Sequence, residues 1–186
     1  RAIHPTPQES SNSLARSTAT SNVLLVDDQA DVREALRLLL KSEGITSAGV
    51  DGPAAALEAV RQRDFGCALI DLNYTRDTTS GEEGLAMLDQ LRQRAPELPV
   101  VVMTAWGNVP LAVDALRRGA GDFIEKPWDN ARVLSIVRTQ IALGDGARRQ
   151  RRLEAENALL RGGNDALIAE SPAMRRVMEL VARVAP

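Results

Sequence analysis

The chain of 186 residues has a single cysteine, Cys67, and cannot form a disulfide of its own. Cys67 lies in the apolar run Cys67-Ala68-Leu69-Ile70 and reads as a small core residue. No apolar run approaches the length needed to span a bilayer. The first residues lack the basic, then apolar, then small-residue pattern of a secretion signal, so a cytoplasmic location and no membrane partner are the default expectation. The chain opens on Arg1 rather than Met, as expected of a processed or recombinant fragment. Charge of one sign is also lacking: the formal net charge is -2, which points to neither nucleic acid nor membrane. The one histidine, His4, sits in a polar tail. Lysine is nearly absent: among the 23 lysines and arginines only Lys41 and Lys126 are lysine.

What is present is an alternating pattern. An apolar fraction of 44% suits a folded protein, and the length suits one ordinary domain with attached segments. Residues 1–21 are rich in Ser, Thr, Asn and Pro with no apolar period, so a disordered tail is expected there. From Asn22 short apolar runs alternate with helical periods. Strands are predicted at Val23-Leu24-Leu25-Val26, 45–50, 66–72, 99–104 and 122–126. Helices are predicted over 30–41, with Val32, Ala35, Leu36, Leu39 and Leu40 on the apolar face, and over 53–63, 82–94, 109–118 and 130–143. Strands that alternate with helices imply a parallel α/β sheet covered by helices on both faces. Ligand sites in such sheets lie beyond the carboxyl ends of the strands.

Those ends carry Asp27-Asp28 after the first strand, Asp71 at the third, Thr104-Ala105 at the fourth and Lys126-Pro127 at the fifth. Three carboxylates together repel one another, and they make sense around a divalent cation with hard oxygen ligands such as Mg²⁺. One carboxylate can act as nucleophile towards a phosphoryl donor and form an aspartyl phosphate. A metal and a lysine would neutralise the transferring group. In a chain that otherwise uses arginine, the cation at this edge is Lys126, a compact ammonium that a guanidinium fork does not replace equivalently. Lys126 precedes Pro127, the one setting in which a cis peptide is common enough to consider. Taken singly, each residue has a plainer reading: Asp27 and Asp28 as caps of the next helix, Lys126 as a surface lysine, Thr104 as a turn residue. Their joint placement at ordered strand ends favours the site.

These motifs resemble the response-regulator receiver domain of two-component signalling. Leu25-Val26-Asp27-Asp28 resembles its acidic pair, Leu69-Ile70-Asp71-Leu72 its phosphoacceptor strand, Met103-Thr104-Ala105 its switch-hydroxyl strand, and Phe123-Ile124-Glu125-Lys126-Pro127 its lysine strand, with Phe123 at the aromatic switch position. The resemblance spans residues 22–143 and implies a flavodoxin-like (CheY-like) fold with five parallel strands. It also implies phosphotransfer from a histidine kinase to Asp71 with Mg²⁺ as cofactor. Asp28 and Asp71 would hold the metal directly, Asp27 more often through water, and the backbone carbonyl of Asn73 would complete the protein ligands. The sequence departs from the family in the loop from Asn73 to Gly81, where Gly84 matches the family's usual glycine and about five extra residues intervene; a long surface loop is cheap, and a recognition role is the other option. Trp106 follows Thr104 by two residues. Either its bulk slows hydrolysis of an acyl phosphate, or it packs on the helix that follows.

Beyond Leu143 the helical pattern runs on through 144–161. With Leu143, Gln150 and Asn157 at heptad position a, Leu153 and Leu160 fall at d, a coiled-coil dimer arrangement in which the polar Asn157 fixes register. A solvated single helix is the alternative. Gly162-Gly163-Asn164-Asp165 is expected to break this helix. The segment 162–186, with Glu170-Ser171-Pro172 as a helix start, resembles the opening of the AAA+ domain of NtrC-like, sigma-54-dependent activators. The resemblance implies a homodimer through linker and receiver. It also implies contacts with sigma-54 RNA polymerase and DNA made only by domains not present here. Neither lysine follows a glycine, so no Walker A element is present and ATP hydrolysis is not expected of this chain. Two other classes stay open. A haloacid-dehalogenase-like phosphatase usually carries a second Asp two positions after its nucleophile, where this chain has Asn73. DNA binding through Arg148-Arg149-Arg151-Arg152 would draw on a segment, 144–186, with 8 basic against 6 acidic residues.

Overall fold

A computed structural model describes residues 22–73, 81–105, 108–170 and 176. The chain divides into two compact units, Arg1–Asp145 and Gly146–Pro186. The first alternates β1 (Asn22–Val26), α1 (Ala30–Ser42), β2 (Thr46–Val50), α2 (Pro53–Gln62), β3 (Cys67–Asp71), α3 (Glu82–Arg94), β4 (Val100–Ala105), α4 (Val109–Arg117) and β5 (Asp122–Lys126), and enters α5 (Asn130–Glu170). The five strands form one sheet in the order β2-β1-β3-β4-β5, and every pairing is parallel. This is the parallel sheet expected from the alternation, in the flavodoxin-like form that the resemblance implied.

The central strands are buried throughout: β3 has no exposed residue and β4 only its last. That is why they read as unbroken apolar runs rather than as alternating ones. Two cores result, one per face. Leu24, Ile70 and Val102 pack with Ala56, Leu88, Leu91 and Ala115 of α2, α3 and α4. Leu25, Leu69 and Val101 pack with Leu36 and Leu40 of α1 and with Val133 and Val137 of α5. Within α1 the buried stripe is narrower than the sequence suggests: Leu36 and Leu40 are buried, whereas Ala35 is exposed. Cys67 is buried at the start of β3. Burial pushes its thiol up to about 12, so it is inert as a nucleophile.

Two helix starts differ in how they are stopped and turned. α2 begins on Pro53, whose missing N–H costs nothing in a first turn. α3 follows Gly81, which holds a left-handed φ of 65° where a side chain would be strained.

One sequence expectation is corrected. The helix does not break at Gly162-Gly163, because α5 continues to Glu170. The left-handed glycines among the described residues are Gly44, Gly81 and Gly119, so neither Gly162 nor Gly163 forms a terminating cap. A mid-helix glycine costs about 1 kcal/mol relative to alanine, and Ala158-Leu159-Leu160 before the pair and Ala166-Leu167-Ile168-Ala169 after it are good helix formers that offset the cost. No helix among the described residues is long and apolar enough to cross a membrane. The tail 1–21 and Ser171-Pro172 lie outside the described residues.

Candidate functional site

Parallel strands deliver their carboxyl ends to one edge, and there the chemistry gathers. Asp27, Asp71 and Thr104 are buried polar residues. One carboxylate oxygen each of Asp27, Asp28 and Asp71 can be chosen so that all lie within 4.8 Å of one another. Lys126 reaches across from β5 and donates to Asp27 Oδ2 at 2.7 Å and to Asp71 Oδ2 at 2.9 Å. Its side chain is only 19% exposed, so it is no surface lysine. The Lys126–Pro127 peptide is cis. Thr104 lies one residue beyond Met103, the partner of Asp71 in the β3–β4 register, and so stands beside the end of β3.

Asp27 is pinned from four directions. Its N–H donates to Val50 O at 3.2 Å, Oδ1 accepts from the Gln29 N–H at 2.9 Å, Oδ2 accepts from Lys126, and its carbonyl accepts from Arg33 Nη1 at 2.5 Å. The N-cap of α1 is Gln29, with no side-chain cap bond of its own. Asp71 Oδ1 accepts from the Asn73 N–H at 3.2 Å, which places Asn73 directly against Asp71. Asp28 Oδ1 is a buried acceptor atom outside any hydrogen bond, although the residue interacts elsewhere.

One ammonium faces three carboxylates, so the cluster keeps a net negative charge. Burial, and next the charge of Asp27, push the Asp71 carboxyl above its ordinary range, against the opposing pull of Lys126 and the Asn73 N–H. Burial alone would lower Lys126, but its hydrogen bonds and charge contacts with Asp27 and Asp71 outweigh that and raise it. Both shifts give stability the same slope. A raised Asp71 means that the folded state holds its proton longer than the unfolded chain, so stability falls as pH rises through the window just above the ordinary carboxylate range. A raised Lys126 contributes stability that is complete below the ordinary lysine range and lost as pH climbs through the raised value. In urea titrations without divalent cations, Asp71→Asn is expected to flatten the first slope and Lys126→Met the second. A wild-type slope on the acid side in Asp71→Asn would show that another group controls it.

Phe123 lies on β5, three residues before Lys126, half-buried against the α2–α3–α4 core. The Arg132 guanidinium from α5 sits over its ring, 5.7 Å from the centroid. Trp106 and residues 74–80 of the extended loop lie outside the described residues. Leu153 and Leu160 of α5 are 53% and 70% exposed, Asn157 is exposed, and all three belong to the second unit.

Three features of the site escape a sequence reading. A Cβ on Gly84 would lie 2.5 Å from Leu72 Cα and 2.8 Å from Leu72 O, so α3 approaches the chain leaving Asp71 as closely as a bare glycine permits. The resemblance pointed at Gly84 without giving that reason. Arg132 over Phe123 has no signal beyond a cation early in a helix. Arg33 does have one: it occupies the stripe of α1 shared with Leu36 and Leu40, where an apolar residue is the rule.

Comparison with known proteins agrees with this geometry. Residues 23–138 match the family described as the response regulator receiver domain. The transcriptional regulatory protein FixJ of Azorhizobium caulinodans is 38% identical over 135 residues, which is 73% of this chain and 61% of that protein. The DNA-binding transcriptional regulator NtrC of Escherichia coli is 32% identical over 162 residues, covering 87% of this chain and 32% of that protein. Among solved structures, the receiver domain of NtrX from Brucella abortus is similar with a TM-score of 0.59 and 34% identity, covering 64% of this chain and 98% of that one. The chain thus spans 61% and 32% of these two regulators' own length and nearly all of a receiver. With five parallel strands in the order 2-1-3-4-5 and an acidic cluster bridged by a strand-end lysine, this chain belongs to the response regulator receiver domain family.

Proposed function

We propose that this chain is a phosphorylation switch in which Asp71 takes a phosphoryl group from a sensor histidine kinase. The observation that carries it is the bridge: a buried Asp71 within reach of two further carboxylates and tied, like Asp27, to Lys126. The donor set is all oxygen and carries excess negative charge, which fits Mg²⁺. Asp28 and Asp71 would hold the ion, with the Asn73 carbonyl completing the protein ligands. Asp27, whose two carboxylate oxygens already accept from Gln29 and Lys126, would act through water. When bound, the ion supplies positive charge to the transferring phosphoryl oxygens.

The chain's own residues do the rest. Asp71 Oδ attacks phosphorus and the donor's bond to phosphorus breaks, leaving an aspartyl phosphate. Lys126 neutralises the growing charge with an ammonium already in place. Thr104 then donates its hydroxyl proton to a phosphoryl oxygen, and Phe123 repacks against the core as the site contracts. Incubation with acetyl phosphate or beryllofluoride and Mg²⁺ tests this, following mass and oligomeric state. The absence of both a phosphoryl adduct and a beryllofluoride-induced change would sink the reading. Thr104→Ala is expected to keep the adduct while losing the coupled change in oligomeric state. A hydrogen bond to a charged acceptor contributes about 1.5–3 kcal/mol, so the population shift should weaken roughly tenfold or more. An unchanged shift in Thr104→Ala would remove the hydroxyl from the switch.

The output is proposed from the resemblance to NtrC-like activators. Residues 22–143 form the receiver, 144–161 a linker that dimerises through Leu153, Asn157 and Leu160, and 162–186 the start of an AAA+ ATPase whose remainder engages sigma-54 polymerase and DNA in the cytoplasm. The exposure of Leu153 and Leu160 supports the linker reading. Asn73, standing where the phosphatase reading wants a second acid, weighs against that alternative.

A further inference from the structure

Resting on the phosphoacceptor reading of the site, we infer that Arg33 is a positioning residue: its guanidinium fixes the β1–α1 turn in the shape that presents Asp28 to a divalent cation. Arg33 is half-buried on the stripe of α1 that also carries Leu36 and Leu40, so its stem is packed rather than waving in solvent. That stem lies over β2: a Cβ on Gly49 would sit 3.3 Å from Arg33 Cδ and 3.6 Å from Nε. The bare glycine leaves the room that the arginine fills. From there Nη1 donates to the Asp27 carbonyl at 2.5 Å.

The choice of that carbonyl matters. The Asp27 C=O belongs to the rigid peptide plane leading into Asp28. The Gln29 N–H bond to Asp27 Oδ1 restrains this plane from the side-chain side of the turn, and the remaining bonds of Asp27 hold the residue in the strand. Arg33 bonds the carbonyl of that plane, and so helps set the direction in which Asp28 leaves the strand. Removing the guanidinium loosens the turn that carries Asp28, while Lys126 keeps its bonds to Asp27 and Asp71. The effect is therefore on metal affinity and not on the nucleophile.

Arg33→Met keeps an unbranched stem over Gly49 and removes the donors; Arg33→Lys keeps a donor. In the full chain, Mg²⁺ affinity is measured by calorimetry and backbone exchange of Asp28 and Gln29 in metal-free protein. The phosphorylation rate with acetyl phosphate is followed against Mg²⁺ concentration. Arg33→Met is expected to weaken Mg²⁺ binding roughly 10- to 100-fold, the usual cost of losing a group that orients a metal ligand. It should speed exchange at Asp28 and Gln29, and raise the Mg²⁺ needed for half-maximal rate while sparing the maximal rate. Arg33→Lys should recover most of the affinity. Wild-type Mg²⁺ affinity in Arg33→Met overturns the assignment. So does a lysine variant as weak as the methionine one with the same loss of thermal midpoint, since Arg33 is then only structural. A wild-type chain that binds Mg²⁺ but never gains a phosphoryl group overturns the phosphoacceptor reading instead, and the binding comparison still judges Arg33.

Discussion

Asp71→Asn is expected to lose phosphorylation to below detection while remaining folded. The acceptor must be a carboxylate, because an amide offers no anionic oxygen to attack phosphorus. The substitution preserves shape in a site with no spare room, as Asp71 is buried. It also removes a buried charge whose carboxyl is already pushed upward by that burial. Lys126 is not stranded, since its 2.7 Å bond to Asp27 survives. Metal-free Asp71→Asn should therefore unfold in urea no earlier than wild type at neutral pH, and mass spectrometry after acetyl phosphate and Mg²⁺ should find no adduct. An adduct at wild-type yield would place the acceptor elsewhere. Loss of fold would instead show that the Asp71–Lys126 bond outweighs the burial of the charge.

Gly84→Ala is expected to cost about 3 kcal/mol or more, at the upper end for overpacking of a core, and to lower the thermal midpoint by roughly 10 °C. The added methyl meets backbone: Leu72 Cα at 2.5 Å and Leu72 O at 2.8 Å. A flexible side chain could swing away, but Leu72 cannot, because its N–H donates to Met103 O at 3.0 Å and its side chain is buried. Relief must come from moving α3 away from the strand, or from moving the strand end that carries Asp71. The variant should thus lose stability and phosphorylation rate together. Thermal melts and acetyl phosphate kinetics check both, and a midpoint within a few degrees of wild type would show that α3 slides at little cost.

The fold was legible because its strands are central ones. Runs such as Val100-Val101-Val102-Met103 are apolar on both faces and leave little choice of element, and their ends then locate Asp27, Asp71, Thr104 and Lys126 at one edge. The acid–lysine constellation was legible because it needs only the strand ends. What sequence could not supply was anything that depends on distance between helices and strands: the bond from Arg33 to a carbonyl, the ring contact of Arg132, and the reason Gly84 must be glycine. Helix propensity also misjudged Gly162-Gly163. A glycine pair signals an end only if one of them turns left-handed, and neither does.

Cys67 gives the molecule a clock. It is the sole thiol, placed on β3 with β1 on one side and β4 carried on the other, and its proton is held until about pH 12. A reagent that needs thiolate finds none until the middle of the sheet comes apart. At reagent concentrations where alkylation outpaces reclosing, the rate at which the native protein is alkylated is then the rate at which its centre opens, read without a dye or an added label. Cysteines introduced elsewhere for spectroscopic tags can be modified against a silent background, with the native residue left in place.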